Sequence, residues 1–172
     1  VKEGDIIARC GNSGRSPYPH LHFQFQSTPY IGSVTLDYPF SHYILHNENH
    51  FNLRSFEYPQ LDQEVSNIEK HDLLEQAMHL IPGKKMSFDI INNGHSKREE
   101  WEVLTDPYNN SYISCPCSRS RAYFTSDGNL LFFTHFQGDK KSLLYYFFLA
   151  AYKLQSGFYQ DLVLKDCYPL NL

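Results

Sequence analysis

From His20 to Gln26, polar and apolar side chains alternate without interruption: His20, His22, Gln24 and Gln26 on one side, Leu21, Phe23 and Phe25 on the other. A period of two belongs to an extended strand with one wet and one apolar face. At about 3.6 residues per turn, a helix would scatter the same side chains around its axis. The chain is therefore expected to build at least one sheet with two unlike faces. Thirteen Tyr, thirteen Phe and one Trp carry that strand bias along the rest of the sequence.

Further elements follow from punctuation. Asp5 to Arg9 reads as a short apolar strand ended by the turn Gly11-Asn12-Ser13-Gly14. Pro17 and Pro19 stiffen the loop before His20. Residues 27–41 read as a connector, with a second unit starting near Phe40. His42–Leu45 and Phe51–Phe56 are predicted strands around Asn47-Glu48-Asn49. Ser66 and Glu69 fit a capping box that opens a helix over 66–80, striped by Leu73, Leu74, Ala77 and Met78 and stopped by Pro82-Gly83. Met86–Ile90, Trp101–Leu104 and Tyr112–Ser114 are predicted strands, and Asp127-Gly128 is the best hairpin signal, between Ala122–Thr125 and Leu130–His135. Leu143–Leu154 is apolar on every side and tips toward a buried helix; Leu162–Leu164 is expected to close a sheet. The fold class is thus β-rich α+β: antiparallel sheets with one or two helices, divided into residues 1–40 and an aromatic-rich β module over 41–172.

Charge and cysteine usage narrow the function classes. Fifteen Lys+Arg against nineteen Asp+Glu leave a net charge of −4, without the basic face that nucleic-acid binding needs. The longest apolar run, Leu143 to Tyr152, is half the length of a membrane span of about 20 residues. Cys10, Cys115, Cys117 and Cys167 are too few for a disulfide scaffold. Cys115-Pro116-Cys117 is not the C-x-x-C of common zinc sites, so these are read as ordinary thiols, or as one bridge between Cys115 or Cys117 and Cys167. The sequence begins inside a strand motif without an initiator Met and is expected to belong to a longer protein.

Chemistry concentrates in His20-Leu21-His22. A two-residue step along a strand covers roughly 6.5 Å and returns to the same face, so one imidazole can bind a metal while the other handles a proton. Alone, H-x-H is a weak signal. Its surroundings add to it: Gly4-Asp5-Ile6-Ile7-Ala8, Gly11-Asn12-Ser13-Gly14-Arg15-Ser16 and Pro19-His20-Leu21-His22-Phe23. In order and spacing, this run over residues 1–26 resembles the lysostaphin/LytM-type zinc metallopeptidases.

The resemblance implies that His22 is a zinc ligand and His20 a catalytic histidine, with Asn12, Ser16 and Tyr18 as substrate-binding candidates at the groove. It also implies zinc-activated water, hydrolysis of cell-wall peptides, and a small antiparallel sheet as scaffold. Tyr18, beside Pro17, stands where the family has a glycine, making a bulkier and stiffer rim. The family's other two ligands, an H-x-x-x-D pair, are expected upstream of this segment, so zinc is expected of the complete domain rather than of this chain alone.

Pro29-Tyr30-Ile31-Gly32-Ser33 and Thr35-Leu36-Asp37-Tyr38-Pro39-Phe40 resemble the peptidase-like domain attached to some bacterial urea transporters. That resemblance implies an N-terminal membrane domain as partner, a location at the bacterial envelope or periplasmic side, and a non-catalytic binding or regulatory role as the alternative function. His42, His46 and His50, spaced by four, read as packing or surface histidines. Glu99, Glu100 and Glu102 read as a solvated edge, and Tyr145-Tyr146-Phe147-Phe148 as core.

Overall fold

A computed structural model describes residues 1–164 except Glu3 and Asn93. Cys167, and with it any bridge to Cys115 or Cys117, lies outside the described residues. Strands make up 42% of the chain and helices 9%, as the aromatic content and alternation predicted. The chain divides into two compact units, Val1–Pro39 and Phe40–Leu172.

The first unit holds a single two-stranded ladder. β1 (Phe25–Gln26) pairs antiparallel with β2 (Thr35–Leu36). Around it, the rings of Phe23, Phe25 and Tyr38 meet edge-on at 4.9–5.6 Å, and the Tyr38 hydroxyl donates to the Phe23 carbonyl at 2.8 Å. The strand predicted over His20–Gln26 is therefore realised only at its last two residues, and that over Asp5–Arg9 not at all. Alternation favours an extended conformation, but a strand exists only where a neighbour completes its hydrogen bonds. Among the described residues of this unit, only Thr35–Leu36 does so. Ile6, Ile7 and Leu21 are accordingly 79–92% exposed.

The described residues of the second unit form two sheets and two short helices. β3 (Phe40–Asn47) and β4 (His50–Glu57) form an antiparallel hairpin. β5 (Val65–Ser66) pairs antiparallel with β3, and β12 (Leu162–Val163) pairs parallel with β4, giving the order β12-β4-β3-β5. The larger sheet is an antiparallel meander of β6 (Lys85–Asn92), β7 (His95–Thr105), β8 (Ser111–Cys115), β9 (Ser120–Ser126), β10 (Leu130–Gln137) and β11 (Lys153–Gln155). It curls into a half-barrel. The hairpin read at Asp127-Gly128 joins β9 to β10: Gly128 adopts φ +86°, and Asp127 Oδ1 accepts from the N–H groups of Asn129 and Leu130 at 2.9 and 2.8 Å.

Two helix expectations change. α1 spans Asp72–Met78, not 66–80, and starts at His71 without a side-chain cap. Ser66 lies in β5 opposite Ile44, and its hydroxyl bonds His46 Nε2 at 2.8 Å. Its capping-box pattern is thus overridden by a sheet contact twenty residues away in sequence. α2 covers only Leu143–Ala150. The rest of the apolar run turns back as β11, with Leu154 opposite Leu131.

α2 fills the concave side of the large sheet. Leu144 and Phe148 are fully buried, as are Phe133, Val103 and Ile113 of the strands. Phe148 packs on Phe133 at 5.5 Å and Phe147 on Trp101 at 5.4 Å. Ser142 caps the helix: its Oγ accepts from Tyr145 N at 3.2 Å and donates to Asp139 O at 2.6 Å. Ser142→Ala is expected to lower unfolding stability by about 1 kcal/mol, measured as a shifted urea midpoint with unchanged slope.

Candidate functional site

The loop carrying the H-x-H motif is organised by short-range polar contacts. Gly14, at φ +85°, reverses the chain after Asn12-Ser13. Ser16 Oγ then donates to the Tyr18 carbonyl at 2.7 Å. His20 Nδ1 lies 3.0 Å from both that carbonyl and Ser16 Oγ. A carbonyl only accepts, so in the bond to Tyr18 O it is Nδ1 that donates. Ser16 is thus found positioning His20. Tyr18 packs edge-on against the His20 ring at 6.2 Å and is 64% exposed, and Asn12 is exposed on the turn. His22 Nε2 contacts Gln24 Oε1 at 3.0 Å, and both histidines are exposed.

As a zinc site this donor set is partial. A hydrolytic zinc takes about three protein ligands and leaves one position open. His20 and His22 belong to no group of three possible ligands among the described residues. What they offer is a His20 ring oriented through Nδ1 and a second imidazole on His22.

His42 and His46 are held by contacts between strands. His42 Nδ1 bonds Ser55 Oγ on the facing strand at 2.8 Å, and its Nε2 donates to Asp127 Oδ2 at 2.9 Å. Its side chain is 6% exposed. These contacts tie the β3–β4 hairpin to the β9–β10 turn and so link the two sheets. Burial raises the Asp127 pKa, but the N–H groups of Leu130 and Asn129, together with His42, more than offset this and hold the carboxyl below its ordinary range. The packing role read for His42 and His46 matches these contacts.

The described residues bring one group of three potential ligands together: Glu99, Cys115 and Cys117. Glu99 departs from its expected place on a solvated edge, being only 7% exposed. β7 places it beside the C-x-C turn that leaves β8. Its Oε2 accepts from Trp101 Nε1 at 3.3 Å and faces Cys115 Sγ at 3.7 Å. Its Oε1 accepts from Lys97 Nζ at 3.0 Å. Burial raises the Glu99 pKa, but Lys97 and Trp101 bring it below the usual carboxylate range. The two sulfurs are 3.1 Å apart, and burial followed by Cys115 pushes the Cys117 thiol up to about 11. The C-x-C spacing was visible in the sequence; the third donor, contributed by another strand, was not.

A cavity of about 530 Å³ in the second unit is lined by Asn109, Asn110, Tyr123, Thr134 and His135, among others, and includes neither the H-x-H motif nor the Glu99 cluster. No helix among the described residues is long and apolar enough to cross a membrane. No protein-family model, curated protein or solved structure matches the chain.

Proposed function

We propose that residues 1–39 are the C-terminal part of a lysostaphin/LytM-type metallopeptidase-like domain acting on cell-wall peptides. His22 is the zinc ligand and His20 the proton-handling partner. The observation that carries this reading is the anchoring of His20, whose Nδ1 is held by Tyr18 O and Ser16 Oγ at 3.0 Å. A backbone carbonyl on one ring nitrogen is how proteins orient a histidine whose other nitrogen works. Exposed Ile6, Ile7 and Leu21 agree with a sheet whose other strands lie elsewhere in the domain. Zinc, when bound, would bring the pKa of its water toward about 7. This chain's own contribution is His22 as a donor and His20 as the acid/base or oxyanion partner, with Asn12, Ser16 and Tyr18 as substrate-binding residues.

Tyr18 favours a second reading. Its ring, 64% exposed, stands where the resembled family has glycine and would narrow that family's groove. A narrowed groove suits a non-catalytic module that holds wall peptide or regulates an attached bacterial membrane transporter of the urea class, at the envelope.

In protein carrying the complete domain, His22→Ala is expected to abolish zinc retention. His20→Ala should retain zinc and lose turnover of a peptidoglycan cross-link peptide by about 10²–10⁴-fold. Equal zinc loss in both variants would reverse the roles. A complete domain that retains no zinc would leave the binding module as the function.

A further inference from the structure

We propose that Glu99, Cys115 and Cys117 form a binding site for one thiophilic divalent metal ion of the zinc and cadmium class. The site lies in the second unit and is independent of the reading of residues 1–39.

Geometry carries the proposal. Each residue offers a ligand atom, and the three atoms lie within 4.8 Å of one another. With Zn–S near 2.3 Å and Zn–O near 2.0 Å, a tetrahedral ion holds its sulfur and oxygen donors ~3.5 Å apart and two sulfurs ~3.8 Å apart. Cys115 Sγ and Glu99 Oε2 already stand at 3.7 Å. The sulfurs, at 3.1 Å, must separate by roughly 0.7 Å to meet that tetrahedral spacing. Cys117 can supply that movement, because it is exposed on the turn while Cys115 is buried.

The surroundings are built to orient the carboxylate. Trp101 Nε1 and Lys97 Nζ each donate to a different Glu99 oxygen. Trp101 is 2% exposed and packed against Phe88 and Phe147, so its N–H is a fixed donor. Such outer contacts hold a ligand in place and are commonly worth about 10–100-fold in metal affinity.

Charge points the same way. Among the described residues, Lys97 is the one cation bonded to the buried Glu99 carboxylate. Two thiolates added to that pair would leave a net charge of −2, which a divalent ion neutralises. Binding is then an exchange in which the ion takes both sulfurs and the two thiol protons go to solvent. Water completes the coordination on the exposed Cys117 side.

Cobalt(II) titration of the full chain, reduced with a phosphine, tests the site. One equivalent is expected to give the thiolate-to-cobalt absorption and to be displaced by zinc, with about two protons released on binding. Cys117→Ala, an exposed change leaving the circular dichroism intact, should remove the thiolate absorption. Glu99→Gln should weaken binding by at least about tenfold, and the double variant His20→Ala, His22→Ala should leave all of it unchanged. Cobalt bound without thiolate absorption, absorption surviving Cys117→Ala, or absorption lost in the histidine variant would each overturn the assignment. The histidine outcome leaves the zinc role proposed for His22 standing, so failures of the two readings are distinguishable.

Discussion

Trp101→Ala is expected to lower the unfolding free energy of the second unit by about 3–5 kcal/mol. A domain of this kind holds roughly 5–15 kcal/mol in total, so the variant should stand near the edge of folding. Two losses combine. Trp101 is 2% exposed and packs on Phe88 at 4.4 Å and Phe147 at 5.4 Å. Its removal opens a cavity between the large sheet and α2. It also withdraws the Nε1–H that Glu99 Oε2 accepts, leaving a buried carboxylate on Lys97 and the weak Cys115 thiol contact. Trp101→Phe separates the two effects: it keeps most of the ring contact and loses only the donor, at about 1–3 kcal/mol. Because Trp101 is the single Trp of the chain, urea unfolding of these variants is followed by circular dichroism rather than fluorescence. A midpoint shift for Trp101→Ala no larger than that for Trp101→Phe would mean the ring contributes little packing energy.

Gly138→Ala is expected to be comparably damaging, by about 2–6 kcal/mol, through a different cause. Gly138 sits at φ +123° after β10, where an L side chain is strained, and a Cβ there would lie 2.6 Å from the Cα and Oγ of Ser120. Ser120 has nowhere to go. It is fully buried, its Oγ accepts from Asp139 N at 3.1 Å, and Asp139 O accepts from the α2 cap Ser142. The clash therefore reaches the start of the helix that fills the half-barrel. Gly83→Ala provides the control: φ is +90°, but nothing lies within 4 Å of its Cβ position. It should cost only the backbone strain, about 1–2 kcal/mol. Equal losses at the two positions, read by thermal or urea unfolding, would show that the Ser120 contact relaxes freely.

Local signals were legible where local forces decide the outcome. The Asp127-Gly128 turn supplies its own carboxylate acceptor and its own left-handed residue, so a few residues suffice to specify it. α2 was legible as an apolar run but not in its extent. Residues 143–150 coil under a Ser142 cap, while Lys153–Gln155 find β10 as a neighbour. Ser66 shows the opposite case: its capping-box pattern is sound locally, yet Ile44 and His46 claim its backbone and hydroxyl. In the H-x-H segment, alternation could not create the partner strand that His20–Gln24 would need.

Composition and periodicity alone determined that this chain is β-rich with few helices, because side-chain shape and alternation act within a few residues. Motif spacing also singled out His20 and His22, while the C-x-C pair read as ordinary thiols. Only the tertiary structure decided that His42 joins two sheets and that Glu99 is buried beside two sulfurs. Each of those facts depends on distance in space. Glu99 and Cys115 are sixteen positions apart in the sequence, and only the pairing of β7 with β8 brings a carboxylate within 3.7 Å of a thiol.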